Sequence, residues 1–269
     1  MRLPIRRSLL LGIVFALAFL AAAIATFPAR FAYALVSPPP GTLVCRGIRG
    51  TVWSGHAQRC RLLGRISGRL RWSVARGLSG IGDLVRLTPR VRLSWRSRST
   101  RLALSVVLAN PLRVRGLRGR LRLATLRAFV PTIALFGTPH GEIVFRRLDL
   151  DLGPGHLGPI VGNARLVHAR FGGPPALPLG TLVFVATRDG GRTSSMIHIQ
   201  SLRPRTLGID AHLLLHERGT YRLTAALKAL PGAPAALAGF INTLPGNPRS
   251  GVHDFVSSGV LPLTAAGIP

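Results

Sequence analysis

Acidic residues are scarce in this chain of 269 residues: Asp and Glu number 8 against 36 Lys and Arg, a formal net charge of +28. The first acid is Asp83, and Lys228 is the only lysine, so arginine carries almost all of the positive charge. A chain with one lysine and so few carboxylates is badly equipped for general acid–base or lysine chemistry. Aromatic residues make up 6%, the arginines are spread along the chain, and no RNP, helix-turn-helix or zinc-finger pattern accompanies them, which argues against a nucleic-acid partner. Two cysteines, Cys45 and Cys60, with only His56 between them, do not make a zinc-ligand set. HExxH and Gly-x-Ser-x-Gly are absent; Gly77-Leu78-Ser79-Gly80 is one residue short of the second. Gly153-Pro154-Gly155-His156 lacks the Lys-Ser/Thr of a phosphate loop. No enzyme activity, catalytic residue, cofactor, metal site or small-molecule substrate is therefore expected. The arginine excess reads as compositional bias of a GC-rich coding sequence together with solvation of one sheet face; attraction to an anionic lipid or an acidic partner is the alternative.

What is present begins at the N-terminus. Arg2, Arg6 and Arg7 precede an apolar run from Leu9 through Thr26, extended by Ser8 and Phe27. About 18 to 20 helical residues at 1.5 Å rise span a hydrocarbon core of roughly 30 Å. Pro28 stops the helix, and the leading arginines hold the N-terminus in the cytoplasm. The run exceeds the roughly 7–15 apolar residues of a signal peptide, which favours a retained anchor over cleavage near Ala32-Tyr33-Ala34. The expected organisation is a cytoplasmic N-terminus at 1–7, a transmembrane helix at 8–27, a linker at 28–44 containing the stiff Pro38–Pro40, and a periplasmic β-domain at 45–269. The expected location is the bacterial inner membrane, single-pass, with the bulk of the chain in the periplasm.

Beyond residue 30 the dominant period is two. Arg69–Val74, Arg90–Arg96, Arg118–Leu123 and Leu148–Leu152 alternate polar and apolar residues. Ile209–His216 and Tyr221–Leu227 read as strands joined at Glu217-Arg218-Gly219-Thr220. Period two places leucines on one face and arginines on the other, as in an antiparallel sheet with one wet side. Gly and Pro recur about every ten residues, which fits a meander. The fold class is mainly β, an N-terminal helix followed by an antiparallel meander, with short helices expected within Ala124–Leu135 and Ala233–Leu244. Two similar halves, 45–135 and 136–269, and one continuous meander both remain open.

The residue pairs that draw notice each have an ordinary reading. Cys45 and Cys60 in an oxidising compartment are candidates for a disulfide with Cα atoms about 5.5 Å apart, closing a loop of about 16 residues; two free thiols on adjacent strands are the alternative. Asp149 and Asp151 share a strand face and are read as solvated. His212 and His216 lie on a strand at a spacing that separates them by about 13 Å. Trp53 and Trp72 are read as core anchors of the first sheet.

Gly50-Thr51-Val52-Trp53-Ser54-Gly55 is the most specific segment. Its glycines permit tight turns and Thr51, Val52 and Trp53 favour strand. It resembles the Gly-Thr-(Leu/Val)-Trp-Ser-Gly signature of protein N of the bacterial type II secretion pathway. Leu63-Gly64-Arg65-Ile66-Ser67, Leu70-Arg71-Trp72, Gly219-Thr220-Tyr221-Arg222-Leu223 and Ser258–Leu263 are similar to further segments of that family, and the layout of basic start, anchor helix and motif matches it. The resemblance implies a non-enzymatic accessory subunit of the inner-membrane platform, binding other subunits of the secretion machinery in the periplasm. An envelope lipid-handling β-groove is the alternative.

Overall fold

The computed structural model describes residues 4–36, 43–62, 66–74, 88–126, 140–153, 156–172, 177–190, 194–202, 206–247 and 250–260. The chain forms two compact units, Met1–Val74 and Ala75–Pro269. Asp83, Gly77–Gly80, Pro38–Pro40, Leu63–Arg65, Pro154–Gly155 and most of Ala124–Leu135 lie outside the described residues, as do the last three residues of Ser258–Leu263.

The first unit holds helices α1 (Pro4–Thr26) and α2 (Ala29–Val36) and strands β1 (Leu43–Gly50), β2 (Ser54–Leu62) and β3 (Ile66–Val74). α1 is a run of helix formers without internal Pro, and it is about 35 Å long at 1.5 Å per residue. It stops before Pro28, whose ring nitrogen donates no hydrogen bond. From Ile13 onward its large apolar side chains are 49% to 74% exposed. Among the described residues no helix is long and apolar enough to cross a membrane. The described side chains of α1 begin at Ile13, whereas its helical backbone begins at Pro4 and the apolar run of the sequence at Leu9. Within the segment read as linker, Ala29–Val36 is helical and β1 already starts at Leu43. β1, β2 and β3 form an antiparallel meander.

The second unit is an antiparallel meander with short helices. Its strands are β4 (Arg90–Arg96), β5 (Thr100–Val107), β6 (Leu112–Arg122), β7 (His140–Gly153), β8 (His156–Leu157), β9 (Val161–Phe171), β10 (Leu177–Arg188), β11 (Ser195–Leu202), β12 (Leu207–Leu215), β13 (Thr220–Ala229), β14 (Gly246–Asn247) and β15 (Val252–Val260). Helix α3 (Leu123–Leu126) follows β6, and α4 (Ala235–Asn242) lies between β13 and β14. Successive strands are neighbours from β4 to β7 and from β9 to β13; β8 pairs with β7, and β15 lies between β13 and β14. The arginine–apolar alternation gives β4 its register, Arg90, Arg92 and Arg96 exposed and Val91, Leu93 and Trp95 turned inward. Strong local bends need glycine. Gly119 and Gly162 sit at φ +135° and +140°, where a Cβ would collide with the carbonyl oxygens of Arg101 and Arg147 on the neighbouring strands.

The core of this unit gathers Leu123, Leu166, Ala169, Leu179, Leu182, Leu207 and Ile241. α4 covers one end of it, with Ile241 1% exposed and Leu237 packed alongside. Pro234 opens α4, where a missing N–H costs nothing, and its carbonyl accepts from Leu237 and Ala238. At the edge of the core Thr206 Oγ1 donates to Pro178 O, and His253 Nδ1 meets Leu244 O at 2.9 Å.

Candidate functional site

The Gly50–Gly55 segment is the turn joining β1 to β2. Gly50 and Gly55 are cross-strand partners, and Gly50 adopts φ +99°. Gly55 is also opposite Trp72 on β3, and the indole lies where a Cβ of residue 55 would stand. An aromatic ring over a strand glycine restores the apolar contact that glycine lacks. The Trp72 indole N–H donates to Thr51 O at 3.1 Å, tying β3 to the turn.

The turn then reaches the end of α1. Trp53 donates its indole N–H to Ile24 O at 2.8 Å. The Val52 amide donates to Phe27 O at 3.1 Å, and Pro28 bridges Thr51. The last carbonyls of a helix have no intrahelical donor. The Trp53 indole meets that need at Ile24 O, which also accepts from the Phe27 amide at 3.4 Å, and Val52 binds the carbonyl of Phe27 just beyond the helix; each bond contributes about 0.5–1.5 kcal/mol. Trp53 and Trp72 were expected as buried core anchors; both are only partly buried. The reason is geometric: each indole N–H must reach a backbone carbonyl at the rim of a small three-stranded unit, so the ring stays at the surface.

Beside this latch lies an open apolar hollow of about 200 Å³, lined in part by Ala29, Tyr33, Ile48, Val52, Leu70 and Trp72. Tyr33 closes one side. Its hydroxyl donates to Leu43 O at 2.9 Å and accepts from the Cys45 amide at 3.0 Å. The Cys45 amide therefore points away from β2, which makes Cys45 and Cys60 a non-hydrogen-bonded cross-strand pair. The two are joined by a disulfide, with Cα atoms 4.0 Å apart and Cys60 fully buried. The separation is shorter than the 5.5 Å expected because directly opposed residues of such a pair approach most closely.

Asp149 and Asp151, expected as solvated, are half-buried on β7. Asp151 forms an ion pair with Arg115 at 2.5 Å; the contact is Coulombic, since the same oxygen makes no aligned hydrogen bond. Asp149 accepts from the Gly116 amide at 2.5 Å and faces Arg147 at 3.8 Å. The register shift of β6 between Val114 and Leu117 turns this backbone toward the acids. Both acids are engaged at the bulge in β6.

Sequence spacing directed attention to His212 and His216. The structure instead sets His212 against His198, its cross-strand partner, with Asp210 beside both. The imidazoles stack at 4.5 Å with planes 4° apart, and His198 Nε2 lies 2.6 Å from Asp210 Oδ1. Nothing in the sequence signals this grouping, because residues 198 and 212 meet only through strand register.

Comparison with known families gives one finding. The model of the type II secretion system (T2SS) protein N family matches residues 42–254. Among curated proteins and among solved structures, none matches the chain.

Proposed function

The chain belongs to the protein N family of the type II secretion system, and from that premise we propose that it is an accessory inner-membrane subunit that works by binding other subunits in the periplasm. In this reading α1 crosses the membrane, residues 1–7 stay inside, and both β units stand outside. Three features support it: α1 is helical over 23 residues; its described apolar side chains are exposed and in need of an apolar surround; and Arg2, Arg6 and Arg7 precede the apolar run that begins at Leu9.

The observation that carries the reading is the latch. The segment most like the family signature grips the C-terminal end of α1 through Trp53–Ile24 and Val52–Phe27. An anchor gripped in this way transmits its position to the strands β1–β3, so these strands stand at a fixed height above the membrane. Their work is then to present edges and faces to partners. No reaction is assigned to the chain. The lipid-handling alternative draws on the apolar hollow, but about 200 Å³ is close to the roughly 150 Å³ that accepts one benzene, and too little for a pair of acyl tails.

Three experiments test the proposal. A periplasm-dependent reporter fused after Gly41 should be active, and a cytoplasmic readout there overturns the topology. Detergent-solubilised protein should recover other subunits of the secretion machine, and deletion of the gene should leave folded exoproteins in the periplasm. Recovery of stoichiometric phospholipid with no secretion subunit overturns the reading in favour of lipid handling.

A further inference from the structure

We propose that His198, Asp210 and His212 form a binding site for a divalent cation of the zinc class on the exposed face of the second unit. Residues i and i+2 of one strand share a face, and the residue directly opposite on the next strand shares it too. Asp210 and His212 are such a pair on β12, and His198 on β11 is opposite His212. Three ligands from two strands therefore form a tripod on one face without any loop. Their ligand atoms all lie within 4.8 Å of one another. His198 Nε2 and His212 Nε2 stand 2.6 Å and 4.0 Å from the same Asp210 oxygen. Around a tetrahedral zinc with bonds of about 2.0–2.1 Å, ligand atoms sit about 3.3 Å apart. The observed separations bracket that value, so side-chain rotations of about an ångström bring the three onto one ion.

The donor set selects the metal. Two imidazoles and one carboxylate suit zinc, nickel or copper, and are poor ligands for calcium or magnesium, which take oxygen. Both imidazole Nε2 atoms lie within 4.0 Å of the one Asp210 oxygen, so the three donors already share one neighbourhood. The surroundings do not oppose a cation by direct contact. Val185 and Thr224 stand opposite His198 and His212 on the flanking strands, and Gln200 and Ala226 flank Asp210. The nearest basic residues by register, Arg222 and Lys228, are one diagonal step away. His198, Asp210 and His212 have side chains 39%, 53% and 55% exposed. Three protein ligands at such a surface leave an outward coordination position for water or for a side chain of a partner.

The test is calorimetric titration of zinc chloride into the untagged full chain in detergent at neutral pH. One saturable equivalent is expected. His198→Ala and His212→Ala should each weaken it by about tenfold or more, and His216→Ala should leave it unchanged. Because a substituted strand can lose its fold, Asp210→Asn supplies a near-isosteric variant with the same expected loss. Cobalt bound to the unsubstituted chain should show the visible absorption of an imidazole-ligated ion. Absence of saturable binding, or binding that survives both histidine substitutions in folded protein, overturns the site.

Discussion

The two units are built from the same alternating strands and are held together by different means. In the first, the described buried residues are Ala29, Ala57 and Cys60, and the stabilising contacts are a disulfide, a tryptophan over a glycine and a latch of hydrogen bonds. In the second, leucines from β9, β10 and β12 meet Leu123 and Ile241 in a contiguous core. Three strands bury little apolar surface, so a small sheet gains much from a covalent or terminal staple. A longer meander with a covering helix does not. The difference teaches where function-bearing surface is available: the stapled unit keeps its aromatics at the rim, and the core-built unit keeps a free polar face.

The contrast breaks first at Ile241. Ile241→Ala removes a side chain 1% exposed and should cost about 2–5 kcal/mol, read as a lower denaturation midpoint by circular dichroism. The Cys45–Cys60 disulfide should remain formed in that variant, since it belongs to the other unit. Next in size is the staple. Cys45→Ser with Cys60→Ser should cost about 3 kcal/mol through the freed loop. Limited proteolysis should then cut within residues 43–74 while the second unit resists.

Trp53→Phe keeps an aromatic ring, though a smaller one, and removes the donor to Ile24 O, so the expected loss is about 1 kcal/mol. Protection of the amides at the end of α1 from hydrogen exchange should fall with it. In the second unit Arg96, Arg101 and Arg120 are opposed across β4, β5 and β6, and like charges directly opposite destabilise a sheet. Arg101→Glu should raise stability by about 0.2–1 kcal/mol in low salt, and added salt should shrink the gain. A loss of stability on that change would mean that the ladder is held by something other than solvent.

Most of the local structure was legible. Strict alternation in Arg90–Arg96 reads directly as strand because the pleat has period two. The helix α4 falls inside Ala233–Leu244, which Pro231 precedes. The site was legible only in part. Gly50–Gly55 stood out as a motif, yet its role as a clamp on α1 depends on two indole and amide donors meeting carbonyls that sequence leaves unassigned. Asp149 and Asp151 looked solvated because a bulge in β6 has no sequence signature of its own.

By itself, then, the sequence determined the mainly-β character, the apolar N-terminal helix, the scarcity of acid–base groups and the family motif. Each follows from residue type or from spacing along one segment. Tertiary structure alone decided which residues face each other across strands: Cys45 with Cys60, Trp72 over Gly55, and His198 beside Asp210 and His212. Register is set by packing of one whole strand against another, and a slip of one residue would turn every side chain to the opposite face. That choice is made by the summed burial of leucines far from the histidines, which is why no local pattern announces it.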